Sequence, residues 1–317
     1  MTRKLLLATS CAAALSAFQA QAADRIFVST RIGADAAGCG AVTTPCRTFQ
    51  FAHDQIAAGG QVQVLDPGDY GRVFISKSIS IVNDGVGAAG VLELSPPNSA
   101  AIYVGAGPSD VVTLRGLTIV GSGAGQGGGS GIVLISGRSA SIQGARLRKL
   151  QMGVVVDTMN FSIVDTTVSD TDSAIVVNPT AGGATGVIQR VTASHNMSWG
   201  LQVDANYAKG PTRVEVSDSV FTQNCNGVLV NSSGRYAADV TLRGIVASHN
   251  RACGPGNGIT AIGPRALVRL AHSIATDNGA GVMIGAGPAV VESYRDNDLR
   301  GNAVAVGGGA LTIVGNQ

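Results

Sequence analysis

Short apolar or β-branched runs, each closed by a polar turn, recur along the chain. From Gly131 onward one phrase keeps returning, a small residue followed by three residues that are mostly apolar or β-branched. It reads Gly-Ile-Val-Leu at Gly131, Gly-Val-Val-Val at Gly153, Ala-Ile-Val-Val at Ala174 and Gly-Leu-Gln-Val at Gly200. It returns as Gly-Val-Leu-Val at Gly227, Gly-Ile-Thr-Ala at Gly258, Gly-Val-Met-Ile at Gly281 and Ala-Val-Ala-Val at Ala303. The steps between these anchors are 22, 21, 26, 27, 31, 23 and 22 residues. A second phrase lies between them, as in Val191-Thr-Ala-Ser-His-Asn196, Val220-Phe-Thr-Gln-Asn224 and Ile245-Val-Ala-Ser-His-Asn250.

Repetition at this period means stacked units. The runs are short, rich in Val and Ile, and bounded by Gly, Asn, Asp or Ser, which are strand and turn signals. A unit this small cannot bury its own apolar face, but it can do so against the next unit at roughly 4.8 Å. The expected fold is therefore all-β: a right-handed parallel β-helix of about ten coils, the hand following the usual crossover rule. The organisation expected is 1–22 signal peptide, 23–60 N-terminal strand, disulfide loop and capping helix, and 61–317 β-helix. Thr48 is the N-cap of a short helix over 48–58 with Phe49, Ala52, Ile56 and Ala57 on its apolar face. Residues 121–131, nearly all Gly, Ser and Ala, read as a loop.

Composition narrows the function classes. Arg3 and Lys4, the apolar stretch 5–18 and Ala20-Gln-Ala22 form a secretory signal with cleavage before Ala23. Without that segment 20 basic and 20 acidic residues remain. Such a balance argues against a general electrostatic grip on nucleic acid or anionic lipid. No later apolar run reaches membrane-spanning length. The chain is thus expected to be secreted or periplasmic. Cys39 and Cys46 flank one loop, while Cys225 and Cys253 fall near the Asn turns of successive coils, so the expected disulfides are Cys39–Cys46 and Cys225–Cys253.

The segment Thr48-Phe-Gln-Phe-Ala-His53, then Gly60, then Val62-Gln-Val-Leu-Asp-Pro-Gly-Asp-Tyr70 resembles the opening of the pectate-lyase-like right-handed β-helix proteins. In that superfamily a capping helix precedes a strand ending in Pro-Gly-x-Tyr, and the Asn-turn coils match as well. The resemblance implies the fold and contact with carbohydrate. It does not choose among lyases, hydrolases, adhesins and inert scaffolds. The Asp-rich metal motif and the Arg-Pro segment of the lyases are not visible. The Asn-x-Asp, Asp-Asp and Gly-His-Gly motifs of the hydrolases are missing too, and Asp296-Asn-Asp298 only resembles the first in altered order.

Candidate chemistry follows from equivalent positions stacking as ladders. The residue before the turn Asn gives His195, Gln223, His249 and Asp277; His249 and Asp277 would be neighbours able to exchange a proton. The turn Asn ladder, Asn196, Asn224, Asn250 and Asn278, is structural, because Asn tolerates left-handed backbone and stacked amides bond one another. Asp157, Asn178, Asp204 and Asn231 form a third ladder after the anchor strands. Trp199, Asp204, Tyr207, Lys209, Arg235 and Tyr236 make a candidate carbohydrate-binding patch in the coils with the longest steps. The expected function is an exported scaffold binding a polysaccharide or cell-surface glycan. The alternative is a diverged polysaccharide lyase or glycoside hydrolase acting on uronate-containing glycans. No cofactor or resident metal is expected, and calcium enters only under the lyase alternative.

Overall fold

A computed structural model describes residues 25–94, 99–123, 129–287 and 289–315. The signal segment 1–22 and positions 124–128 of the Gly-rich stretch lie outside the described residues. Among those residues the strands form three sheets of twelve, ten and nine members, their strands paired in parallel. Each coil visits the twelve-stranded, the nine-stranded and the ten-stranded sheet once, as in Asn160–Val164, Thr167–Ser169 and Ser173–Val177. This is a parallel β-helix, and the ten strands of the anchor sheet match the coil number expected.

Alternation within strands builds the interior. In Asn226–Asn231 the side chains of Val228 and Val230 are fully buried in the core, while Leu229, although only 7% exposed, lies outside the core cluster. The anchor position interrupts strict alternation, for Gly200 and Leu201 are consecutive inward residues and Trp199 is thereby turned outward. A Cβ on Gly200 would come within 3.0 Å of the Asn224 side-chain amide and the Phe221 ring. That is why the phrase must begin with Gly or Ala. The last anchor needs correcting: the register pairs Val282 with Val306, so Ala305, not Ala303, occupies the small-residue position.

Two rows of left-handed residues turn each coil. Gly116, Gly144, Asp165, Arg190, Asp218, Gly244 and His272 turn the chain from the twelve- to the nine-stranded sheet. Lys149, Asp170, His195, Gln223, His249 and Asp277 turn it onward, with φ between 49° and 70° throughout. Sequence alone suggests left-handed backbone at the turn Asn itself. The residue before it takes that role, because the Asn side chain is needed inside. Asn196, Asn224, Asn250 and Asn278 are fully buried. Each Oδ1 from Asn224 to Asn302 accepts from the backbone N–H and the Nδ2 of the Asn one coil earlier, at 2.7–3.1 Å. Asn302 ends the ladder at one side, and Thr171, donating to Asn196 Oδ1 at 2.7 Å, ends it at the other.

The N-terminal helix spans Phe49–Gln55, with the Thr48 hydroxyl accepting from the Phe51 N–H. It is shorter than expected, and Ala57 is exposed past its end. Phe49, Ala52 and Ile56 are buried against the first coil, where the helix touches Arg25–Val28, Gln61–Val64 and Val73–Ile75. Phe49 stacks on Tyr70 with ring centroids 4.9 Å apart. The Tyr70 hydroxyl donates to Asp66, which also receives hydrogen bonds from Ser29 and Thr30. Pro-Gly-Asp-Tyr is therefore a structural latch between helix and first coil. Arg25–Val28 already pairs with Gln61–Val64, so the sheet begins before the helix instead of after it.

Burial opposes ionisation of Asp66, yet those hydrogen bonds outweigh it and hold its carboxyl at about 2. A depressed folded pKa adds stability above the unfolded value near 3.8, and that stability disappears as pH falls toward 2. Its upper bound is about 2 kcal/mol. Asp66→Asn should thus be less stable than the parent at pH 7, with the gap closing between pH 4 and 2. Urea midpoints at both pH values check this; a gap that does not depend on pH would mean the latch does not rely on the carboxylate.

Candidate functional site

The outward residues of the ten-stranded sheet form rows along the helix axis. The central row runs Phe74, Tyr103, Val133, Val155, Val176, Gln202, Leu229, Thr260 and Met283, each a register partner of the next. Trp199 opposes Asn226 on one side of this row, and Asp204 opposes Asn231 on the other. The face is aromatic at its start, where Phe74 and Tyr103 stack at 5.3 Å beside a depression of about 640 Å³. It is aliphatic over the next three coils and polar around Gln202.

Burial on this outer face is unusual for side chains that do not point into the core. Val176 and Leu229 are each 7% exposed and Thr260 is 4% exposed, yet none belongs to the core cluster. Three of the five buried side-chain oxygens without a hydrogen-bond partner among the described residues lie here: Asn178 Oδ1, Asn231 Oδ1 and Thr260 Oγ1. An unpaired buried polar atom is costly and marks a place to look for function. Loops flank the face. The long steps of the sequence come from residues 178–184, 205–211 and 232–237 after the anchor strands, and from 251–256 before one of them. The last of these is tied down by Cys225–Cys253, with Cα atoms 5.0 Å apart; Cys39–Cys46 is likewise joined, at 5.0 Å.

No family model, curated protein or solved structure matches the chain.

The patch expected from sequence is divided between two edges of this face. Trp199, half-buried, stands at the start of Trp199–Asp204, and Asp204 stands at its end, roughly 17 Å away along the strand. Tyr207, Lys209, Arg235 and Tyr236 all lie in loops at the Asp204 edge. Tyr207 is 75% exposed, whereas Tyr236 packs on the core with the Arg235 guanidinium 5.6 Å over its ring. Asp204 accepts from the Asn206 N–H at 3.0 Å and from Asn231 Nδ2 at 3.5 Å. Phe74, Tyr103, Gln202 and Thr260 were not among the residues singled out from sequence. Outward alternation in Val73–Ile75 and the anchor phrases was the signal that could have found them.

His249 and Asp277 do meet, Nε2 to Oδ2 at 3.7 Å, with side chains 64% and 54% exposed. They sit with His195 and Gln223 along a shallow outer corner, on the left-handed turn row. The third ladder holds in register, Asp157 through Asn178 and Asp204 to Asn231. Burial opposes ionisation of Asp157, but hydrogen bonds from Thr180 and Thr158 overcome it and lower its pKa. Those partners occupy its oxygens. No group of three His, Cys, Asp or Glu side chains converges among the described residues in a way that could hold a metal ion.

Proposed function

We propose that this protein is an exported scaffold that binds a glycan along the outer face of its ten-stranded sheet. The carrying observation is the outward row of the ten-stranded sheet, which opens on the stacked Phe74 and Tyr103 beside a depression and passes through Gln202, with the half-buried Trp199 at one edge. A sugar offers apolar C–H faces to an aromatic ring and hydroxyls that pair with a side-chain amide such as that of Gln202. The Phe74–Tyr103 stack supplies a second aromatic platform on the same face. A straight face of parallel strands suits an extended polymer. Two disulfides support an oxidising compartment outside the cytoplasm, and no helix among the described residues is long and apolar enough to cross a membrane.

The test is binding of the protein to a panel of neutral and uronate-containing glycans, with absorbance of unsaturated products followed in the same wells, with and without calcium. Binding without turnover is expected. Trp199→Ala combined with Gln202→Ala should weaken that binding tenfold or more, about 1.4 kcal/mol or more, while the circular dichroism spectrum is unchanged. Turnover that requires calcium would replace this reading with the lyase alternative. Undiminished binding by the double variant would place the glycan elsewhere.

A further inference from the structure

A second face carries a charge pattern that the ten-stranded sheet does not explain. The strand Arg146–Arg148 belongs to the nine-stranded sheet and exposes both arginines while Leu147 enters the core. The two Cα atoms are roughly 7 Å apart on the same side of the sheet. Arg115, Arg190, Arg269 and Arg300 each meet a carboxylate, but neither Arg146 nor Arg148 forms an ion pair among the described residues. Lys149 follows at the corner, exposed. Three cations thus stand together on a chain whose balance of charge is otherwise even.

These arginines line a depression of about 700 Å³. Its wall is the turn after Asn83, which is held together by the Asn83 side chain. Asn83 is 6% exposed, donates to the Gly87 and Gly116 carbonyls at 2.9 and 2.8 Å, and accepts from the Gly85 and Val86 N–H groups. Hydroxyls flank the guanidinia. Arg146 lies in register between Thr118 and Thr167, and Arg148 pairs with Ser169. The hydroxyl rows continue coil by coil through Thr192 and Ser194. Of the nearby carboxylates, Asp84 is paired with Arg115, whereas Asp170 stands exposed at the corner and accepts a hydrogen bond from the Ser169 hydroxyl at 2.8 Å.

We propose that this cleft binds an acidic glycan. Its oxyanion, a sulfate ester or a uronate carboxylate, sits on the Arg146–Arg148 fork, and its hydroxyls lie along the Thr and Ser rows. Paired guanidinia match such oxyanions in a bidentate manner. The rows favour a hydroxylated chain over a lipid surface, which would call for apolar anchors beside the cations. The site is on a different sheet from Trp199 and stands independently of the function proposed above.

The experiment measures binding of the protein to dextran sulfate, polygalacturonate and unmodified dextran at low and high salt. The variants are Arg146→Gln/Arg148→Gln and, as a control, Arg213→Gln/Arg243→Gln, two exposed arginines on the twelve-stranded sheet. The expected result is salt-sensitive binding of dextran sulfate, polygalacturonate or both, weakened at least tenfold in the first variant and less than twofold in the control. The preferred polymer identifies the oxyanion. Arg146→Lys/Arg148→Lys, which keeps the charge but not the fork, should fall between and serves if the Gln pair does not fold. Binding of neither acidic polymer, equal loss in both variants, or equally tight binding of duplex DNA or phosphatidylserine vesicles would overturn the proposal.

Discussion

Val230→Asp should abolish soluble, folded protein. Val230 is fully buried between register partners Val203 and Ala261, inside a column of apolar side chains. A carboxylate there has no cation or donor to meet, and a buried unpaired charge costs several kcal/mol even after relaxation. Domains retain only about 5–15 kcal/mol of net stability. Val228→Asp, on the same face, should behave alike. Leu229→Asp should be milder, because its side chain points outward between Gln202 and Thr260 and an Asp can reach water at the sheet surface. Soluble yield and the urea midpoint separate these outcomes. Equal tolerance at all three positions would contradict the inward–outward alternation of Asn226–Asn231.

Asn250→Leu should cost about 3 kcal/mol despite nearly conserving volume. Asn250 Oδ1 accepts from the Asn224 N–H and Nδ2, while its own Nδ2 donates to the Phe221 carbonyl at 3.0 Å and to Asn278 Oδ1. The leucine would leave the Asn224 N–H buried without its partner and divide the ladder into two shorter runs. His249→Asn makes the contrast one residue away. His249 is exposed and left-handed, a conformation Asn accepts, so that change should stay within about 0.5 kcal/mol. Denaturation midpoints of the two variants compare them directly. If Asn250→Leu were as mild as His249→Asn, the ladder would be a consequence of stacking and not a contributor to it.

Much of this was legible in the residues. Gly-Ile-Val-Leu and its returns predicted the anchor sheet, and the Asn turns predicted the buried amide ladder. Cysteine placement predicted both disulfides. The misplacement at Ala303 has a simple cause: Ala-Val-Ala-Val contains two small residues, and only pairing with Val282 selects Ala305. The ends of the Asn ladder, Thr171 and Asn302, take the Asn position of the same turn after left-handed Asp170 and Gly301, but Thr in place of Asn and the irregular Asp298-Leu-Arg-Gly lead-in disguise them in the sequence.

The candidate site was less legible. Trp199, Asp204 and Tyr207 are close in sequence, which suggested one patch, but an extended strand carries its ends far apart. Conversely, Phe74, Tyr103 and Gln202 are remote in sequence and share one row. Sequence by itself determined the period, the strand character and the small anchors, because these are local requirements of alternation, turn backbone and close approach. Only the tertiary structure decided which side chains share a face, which loops flank it, and which buried oxygens go unpaired. Those properties arise from the stacking of coils some 20 to 30 residues apart: the repeated phrases align the anchor strands and the Asn turns, but the loops between them do not repeat, so how they lie over the face is settled only in three dimensions.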